Sequence, residues 1–325
     1  MTSVLVIGGA GYVGSHACKA FARKGWRVAV FDNLSAGSRD AVKWGDLTVG
    51  DIADQAALRA AISAHRPDVV AHFAALTSVG DSVSDPGAYY RNNVAGTVNI
   101  LDAINVAGPC PVIFSSTAAV YGVPEQTPIP EEHPRRPINP YGHSKLMAEQ
   151  ILDDFEVAHG LRHVALRYFN AAGADPDGEL GENHAPATHL IPIVLHAARD
   201  PEFAFSIFGA DFDTPDGTCV RDYVHVTDLA NAHVAAAEHL LKGGASMALN
   251  LGSGAGASVQ EVIAAIEREL GRPMPRRNGP RRAGDPPALV ASARKAREVL
   301  GWRTTYSLQD IIASAAAWER KTRGL

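Results

Sequence analysis

Up to residue 173 the chain alternates short, uniformly apolar runs with longer segments of helical periodicity. Val4-Leu5-Val6-Ile7 is such a run and predicts a parallel strand buried on both faces. A helix follows from Ser15 to Lys24 and stops at Gly25. Arg27 to Phe31 is a second strand ending in Asp32, and Leu47-Thr48-Val49 a third. A helix over 54–65 and a fourth strand over 68–75 come next, the strand closing on Phe73-Ala74-Ala75. Asn92-Asn93 open a helix of about 94–106 whose outer face carries Val98, Leu101 and Ile104. Val112 to Thr117 is the fifth strand, a helix starts at Pro140, and Val164 to Asn170 is another strand. Beyond residue 173 the alternation breaks down. Residues 174–189 read as a polar loop and Thr214-Pro215-Asp216-Gly217 as a turn. A strand over 246–251 and helices over 259–270, 293–299 and 307–321 close the chain. The fold class is α/β: a doubly wound parallel (Rossmann) sheet with a smaller α/β substrate domain toward the C-terminus. The expected division is 1–172 for cofactor binding and 173–325 mainly for substrate, with segments near 220–230 and 246–252 returning to the first part.

Composition narrows the class. With 325 residues, 46% of them hydrophobic and 20% charged, the core is ample for one or two domains. A net charge of −5 favours neither a nucleic-acid nor a membrane-surface partner, and no run reaches membrane-spanning length. Cys18, Cys110 and Cys219 are widely spaced and odd in number, which fits a reducing cytoplasm and no metal knuckle. His184 and His189 come nearest to a pair but lack helical spacing and an acidic companion, so no metal is expected. The N-terminus has no basic n-region or signal-length apolar run.

Chemistry gathers where the strands end. Gly8, Gly11 and Gly14 stand between a strand and a helix, where backbone amides and a helix N-terminus can receive a pyrophosphate. Asp32 lies 18 residues past Gly14; a carboxylate there accepts from ribose hydroxyls and repels a 2′-phosphate, which selects NAD over NADP. Asp51 is placed for an adenine amino group. Ser115-Ser116-Thr117 puts hydroxyls at a strand's carboxyl end, facing the ligand crevice. Tyr141 and Lys145 share one helical face. A phenol titrates near 10, and a neighbouring cation that lowered it by roughly 3 units, about 4 kcal/mol, would make it a usable base. Tyr-x-x-x-Lys alone is a chance spacing that reads first as an amphipathic helix; the upstream unit is what sets a nicotinamide beside it. Arg276-Arg277 and Arg281-Arg282, in a Pro/Gly-rich stretch ending at Asp285, suit a phosphate clamp.

These residues fall into motifs that cover nearly the whole chain: Gly8 to His16, Asp32-Asn33-Leu34, Gly50-Asp51-Ile52, His72 to Ala75, Asn92-Asn93-Val94, Ser115-Ser116-Thr117 with Val120-Tyr121-Gly122, Tyr141 to Lys145, Arg167 to Asn170, Asp216 to Tyr223, and Arg281-Arg282 with Gly284-Asp285. In them the chain resembles the extended short-chain dehydrogenase/reductase superfamily and, within it, nucleotide-sugar 4-epimerases of the UDP-glucose (UDP-galactose) type. The resemblance implies an NAD-dependent isomerase that oxidises the sugar C4 to a transient ketone and reduces it from the other face. It places Tyr141, Lys145 and Thr117 at the chemistry. Gly8, Gly11, Tyr12, Val13, Gly14, Asp32, Asn33, Asp51, Ile52, Phe73, Ala74, Ala75, Asn92, Ser115 and Tyr168 join Tyr141 and Lys145 around NAD. Asn170, His189, Leu190, Phe208, Arg221, Tyr223, Arg282 and Asp285 join Thr117 and Tyr141 around the UDP-sugar. It also implies a homodimer through the helices at about 94–106 and 142–158. Thr77 stands where many members carry Lys, His189 where Asn is common, and Leu289 at a pocket-limiting position of intermediate size. Hexose, N-acetylhexosamine and pentose substrates stay open. Ala118 and Ala119 replace the Asp-Glu pair of 4,6-dehydratases and the Glu of decarboxylases, so elimination lacks its acid and base. A non-catalytic NAD-sensing protein is the reading from another class.

Overall fold

The apolar runs at 3–7, 69–72 and 112–117 become strands buried along their whole length. The computed structural model describes residues 1–183, 187–200, 203, 205–281 and 285–325. In chain order the first half contains β1 (Ser3–Ile7), α1 (Tyr12–Arg23), β2 (Arg27–Asp32), β3 (Asp46–Val49), α2 (Gln55–His65), β4 (Val69–His72), α3 (Val79–Ser84), α4 (Pro86–Tyr89), α5 (Gly96–Ala107), β5 (Val112–Thr117), α6 (Pro140–His159) and β6 (His163–Tyr168). The second half contains β7 (Asn170–Ala172), α7 (Leu190–Arg199), β8 (Phe205–Phe208), β9 (Val220–Arg221), β10 (Tyr223–His225), α8 (Val226–Leu241), β11 (Met247–Leu251), β12 (Ala257–Ser258), α9 (Val259–Leu270), β13 (Arg276–Gly279), β14 (Ala288–Leu289), α10 (Arg294–Leu300) and α11 (Leu308–Arg323).

Seven strands form one sheet in the order β11-β6-β5-β4-β1-β2-β3, with every pair parallel. The order turns between β1 and β4, and ligands of such sheets bind beyond the strand ends at that turn. This is the Rossmann-type α/β fold expected. One face is closed by α1 and α8 through Phe21, Leu229 and Leu240, with Trp302 after α10 in the same cluster, the other by α2, α5 and α6 through Leu58, Ile62, Leu101, Ile104 and Leu152. Each fully buried aliphatic side chain contributes about 1.5–3 kcal/mol. A third cluster packs α7, α9 and α11 around Ile191, Leu195, Val262, Ile266 and Ile312, beside small sheets of β10-β7, β12-β9-β14 and β13-β8.

Four expectations change. Helix α1 begins at Tyr12 rather than Ser15, which puts the glycine turn directly on its N-terminus. The fourth strand ends at His72, and Phe73 to Ala75 continue without strand pairing. The helix expected at 94–106 is the end of a longer helical run that starts at Pro86 and passes through a π-turn at Tyr90–Ala95; its Leu101 and Ile104 face the core, not outward. Helices α7 and α8 were not expected. Helix α8 is alanine-rich and lies on α1, where small side chains allow a close approach but leave little apolar contrast to read.

No disulfide joins Cys18, Cys110 and Cys219. Among the described residues, one acidic group has the spacing of metal ligands, Asp175, Asp177 and Glu179, and the Lys19 ammonium sits in it at 2.6–2.7 Å from all three. Among the same residues no helix is long and apolar enough to cross a membrane.

The π-turn is held by buried Asn93. Its Oδ1 accepts from Leu76 N at 2.9 Å, and its Nδ2 donates to Leu76 O and to Ser144 Oγ, each at 3.0 Å. π-turns inside α-helices recur at functional sites; this one ties the segment after β4 to α6. Asn93→Ala removes the partner of the buried Ser144 hydroxyl and of the part-buried Leu76 backbone and is expected to lower stability by about 1–3 kcal/mol in urea unfolding.

Candidate active site

The cofactor end is built on backbone approach. Gly8 has φ 86°, and a Cβ there would lie 2.5 Å from Ala74 N; a Cβ on Gly14 would lie 2.2 Å from Gly8 O. No side chain caps α1, and no acidic residue stands in its first turn, so the amides at Tyr12 and Val13 and the positive end of the helix dipole are left for an anion. Asp32 is fixed by two amides, Ala10 N to Oδ2 at 2.9 Å and Leu34 N to Oδ1 at 2.7 Å, and its remaining lone pairs suit a ribose diol. Asn33 donates to Asp51 Oδ2 at 2.8 Å, which joins the ends of β2 and β3. Ile52 is buried against Gly96 of α5. Phe73 and Ala74 both donate to Ile7 O, at 2.7 and 3.0 Å. The Phe73 ring packs at a tilt on His233 of α8, 4.5 Å between centroids, and its backbone is what borders the glycine turn. Asn92 donates to Asn93 Oδ1 at 2.9 Å.

The catalytic candidates converge across α6 and β5. Asn139 caps α6 by accepting from Gly142 N at 2.8 Å, and Pro140 fills its first turn. A Cβ on Gly142 would lie 2.6 Å from Ala119 O, so the helix meets the turn after β5 at backbone distance. The Thr117 hydroxyl accepts from Ala119 N at 3.1 Å and lies near enough to the Tyr141 phenol to favour its ionised form. Lys145 Nζ donates to Ser115 O at 2.8 Å and lies 4.8 Å from the centre of the Phe114 ring. Ser115 Oγ pairs with the Tyr168 hydroxyl, and the Tyr89 ring stands edge-on to Tyr141.

Electrostatics depart from the expected pattern. Burial pushes the Tyr141 phenol above its ordinary value, Tyr168 and Tyr89 add to the rise, and the nearby Thr117 hydroxyl opposes it. The anticipated lowering by Lys145 is therefore not what the protein produces alone. Burial pulls Lys145 down to about 7 against the attraction of the Glu149 carboxylate. Among the described residues Ser115 O is its hydrogen-bond partner, and an ammonium has more donors than that one bond uses. The uncapped helix end, the glycine approach, the fixed Asp32 carboxylate and the spare Lys145 donors fit a dinucleotide.

Asn170, His189, Leu190 and Tyr223 line one cavity together with Glu182 and Trp318. His189 Nδ1 lies 2.7 Å from Glu182 Oε1; burial alone would lower this imidazole, and the Glu182 carboxylate holds it above its ordinary value. Arg221 donates to Asp285 Oδ1 at 3.0 Å, and Leu289 stands opposite Arg221 in the strand register. Phe208 ends β8, 38% exposed. Arg282, like His184, lies outside the described residues. The clamp expected of the other arginines is partly spoken for: Arg276 pairs with Glu267, and Arg281 with Asp211 at 2.7 Å. Thr117 and Tyr141 do not line this cavity. Sequence reasoning gave no site role to Asn93, Glu149, Arg167, Glu182 or Trp318. Arg167 carried a signal, since an arginine inside an apolar strand requires a buried partner.

The family model described as "NAD dependent epimerase/dehydratase family" matches residues 4–252. The chain belongs to this family. Within it, the chain is 52% identical over 320 residues to a UDP-glucose 4-epimerase of Rhizobium leguminosarum bv. trifolii, covering 98% of each chain. Its structure superposes on that of UDP-glucose 4-epimerase from Brucella ovis in complex with NAD at a TM-score of 0.95, with 53% identity and 98% of both chains covered. The Bifidobacterium longum enzyme in complex with NAD+ and UDP gives 0.94, at 40% identity and 99% of both chains. For this epimerase/dehydratase family member, Gly14→Ala forces the turn away from Gly8 O. An overpacking cost of about 1–3 kcal/mol at the cradle should cut the NAD content of purified protein about tenfold, read by acid release and enzymatic assay.

Proposed function

We infer that this chain is an isomerase that inverts C4 of a UDP-sugar of the glucose/galactose type, with NAD as its resident cofactor and a transient 4-keto sugar as intermediate. The observation that carries the reading is the convergence of Tyr141, Thr117 and Lys145 at the end of β5, next to the Gly8–Gly14 cradle and Asp32. NAD, when bound, supplies reversible hydride acceptance at C4 and a positive charge beside the phenol.

The Tyr141 phenolate takes the proton of the 4-hydroxyl and returns it after the ketone has turned over. Burial alone disfavours that phenolate, so it depends on neighbouring positive charge. Thr117, near the Tyr141 phenol, holds the sugar oxygen in line and can pass the proton. Lys145 binds the nicotinamide ribose with the donors that Ser115 O leaves over. Gly8, Gly11, Tyr12, Val13 and Gly14 carry the pyrophosphate, Asp32 the adenosine ribose, Asn33, Asp51 and Ile52 the adenine side, and Phe73 to Ala75, Asn92, Ser115 and Tyr168 the rest of the crevice. Asn170, His189, Leu190, Phe208, Arg221, Tyr223, Arg282 and Asp285 serve the UDP end. Residues 1–172 form the cofactor part, joined by the stretches near 220–230 and 246–252; the pairing of β11 with β6 and the packing of α8 on α1 support this division.

The phenol's role is tested by Tyr141→Phe. Turnover of UDP-galactose is expected to fall by about 10³-fold or more, with UDP binding by calorimetry unchanged. Activity within tenfold of the parent would remove the base assignment.

We also propose a homodimer through α5 and α6, in a cytoplasmic enzyme. Val106, Met147 and Val157 are exposed apolar residues on these two helices, which supports the contact. Light scattering at micromolar concentration should give twice the 34.3 kDa chain mass; the single mass would count against it.

A further inference from the structure

Behind the reacting pair lies a buried polar group that the chemistry above does not use. Glu149 follows Lys145 by one helical turn, so Tyr141, Lys145 and Glu149 form a single stripe on α6. Its carboxylate is met from two strands. Ser116 Oγ donates to Oε1 at 2.5 Å, and Arg167 donates through Nε to Oε1 at 2.9 Å and through NH2 to Oε2 at 2.7 Å. Arg135 approaches Oε2 at 3.3 Å. Arg167 also donates to the Tyr121 hydroxyl at 2.9 Å. The Glu149 and Arg167 side chains are 4% and 3% exposed.

Two consecutive residues of β5 are thus gripped by two consecutive turns of α6: Ser115 by Lys145 and Ser116 by Glu149. The next residue on the strand is Thr117, and the preceding turn of the helix carries Tyr141. Ser116 stands opposite Arg167, and Thr117 opposite Tyr168, in the β5–β6 register. A slip of α6 along β5 cannot happen without breaking the Glu149 contacts, and it would part Tyr141 from Thr117.

We propose that Glu149 is a positioning residue for the Tyr141–Thr117 pair, fixing α6 against β5 through Ser116 and Arg167 and facing Lys145 with its negative charge. The proposal rests on the epimerase reading for its kinetic arm only. A carboxylate in a buried site would ordinarily be disfavoured; Arg167, then Ser116, hold Glu149 ionised below its usual range. The groups facing the stripe from other elements are Arg167, His163 and Tyr168 on β6, Tyr89 on α4, Arg135 in the loop before α6, and His72 on β4. Burial, then Lys145, takes His72 down to about 3, and burial lowers His163, while arginines stay charged. Lys145 is therefore the member that changes charge near neutrality. Without Glu149, Lys145 gives up its proton at lower pH, and the alkaline fall of activity begins earlier.

The test uses the enzyme as purified, with Glu149→Gln and Ser116→Ala, the second leaving no unpaired buried charge. The Lys145 Cε resonance in 13C-lysine protein, assigned by its loss in Lys145→Met, should titrate about one pH unit lower in Glu149→Gln. For UDP-galactose, kcat should fall about tenfold or more in Glu149→Gln and several-fold in Ser116→Ala, with KM within twofold. The alkaline limb should move down with the resonance only in Glu149→Gln. An unmoved Lys145 midpoint together with parental kcat in folded Glu149→Gln overturns the proposal, as does a loss confined to KM. If Glu149→Gln does not fold, parental kcat in Ser116→Ala overturns it. The lysine titration is read without any turnover, so failure of the epimerase reading would leave that shift in place.

Discussion

The site depends on how closely α6 lies against the end of β5. At Gly142 the gap to Ala119 O leaves no room for a methyl group, so helix and strand-end turn meet backbone to backbone. That distance brings the Tyr141 phenol to the Thr117 hydroxyl and buries the Lys145 ammonium against Ser115 O. Burial then acts on both ionisable groups in the unwanted direction, raising the phenol and lowering the amine. A tight site raises the cost of every charge in it and strengthens every charge–charge contact. The protein meets this with Glu149 and Arg167 beneath the site, while the crevice above is shaped for a dinucleotide.

The same economy of space governs the cofactor end. Gly8 and Gly14 are needed because Ala74 N and Gly8 O already occupy the places of their Cβ atoms. The turn therefore holds only if β4, β1 and α1 converge, and Phe73 and Ala74 complete that convergence by sharing Ile7 O. Asn93 extends the tie to α6, so the glycine turn and the helix that carries Tyr141 and Lys145 are one connected structure.

Much of this was legible in the chain. The strands β1, β2 and β5 carry uniform apolar runs because both faces of the sheet are covered, and their glycine, acid and hydroxyl ends are what a crevice beyond a parallel sheet requires. Helices α7 and α8 were not legible: the apolar face of α7 packs against α9 and α11, more than sixty residues away, and α8 is too rich in alanine to show a stripe. Most residues proposed for the UDP side fell where the alternation of strands and helices is lost; the arginine stretch ending at Asp285 carried a charge signal, and the family resemblance pointed to the others.

Strand runs, tight turns and helical spacing are local properties of a chain, so the Rossmann sheet, the glycine turn with Asp32 after the next strand, and the shared face of Tyr141 and Lys145 could be read from the residues alone. Tertiary structure alone decided the protonation preferences of that pair and the residues that hold it. Burial is set by the whole fold, and the partners of Glu149 come from β5, from β6 and from the loop before α6, brought together only when the sheet and its helices close.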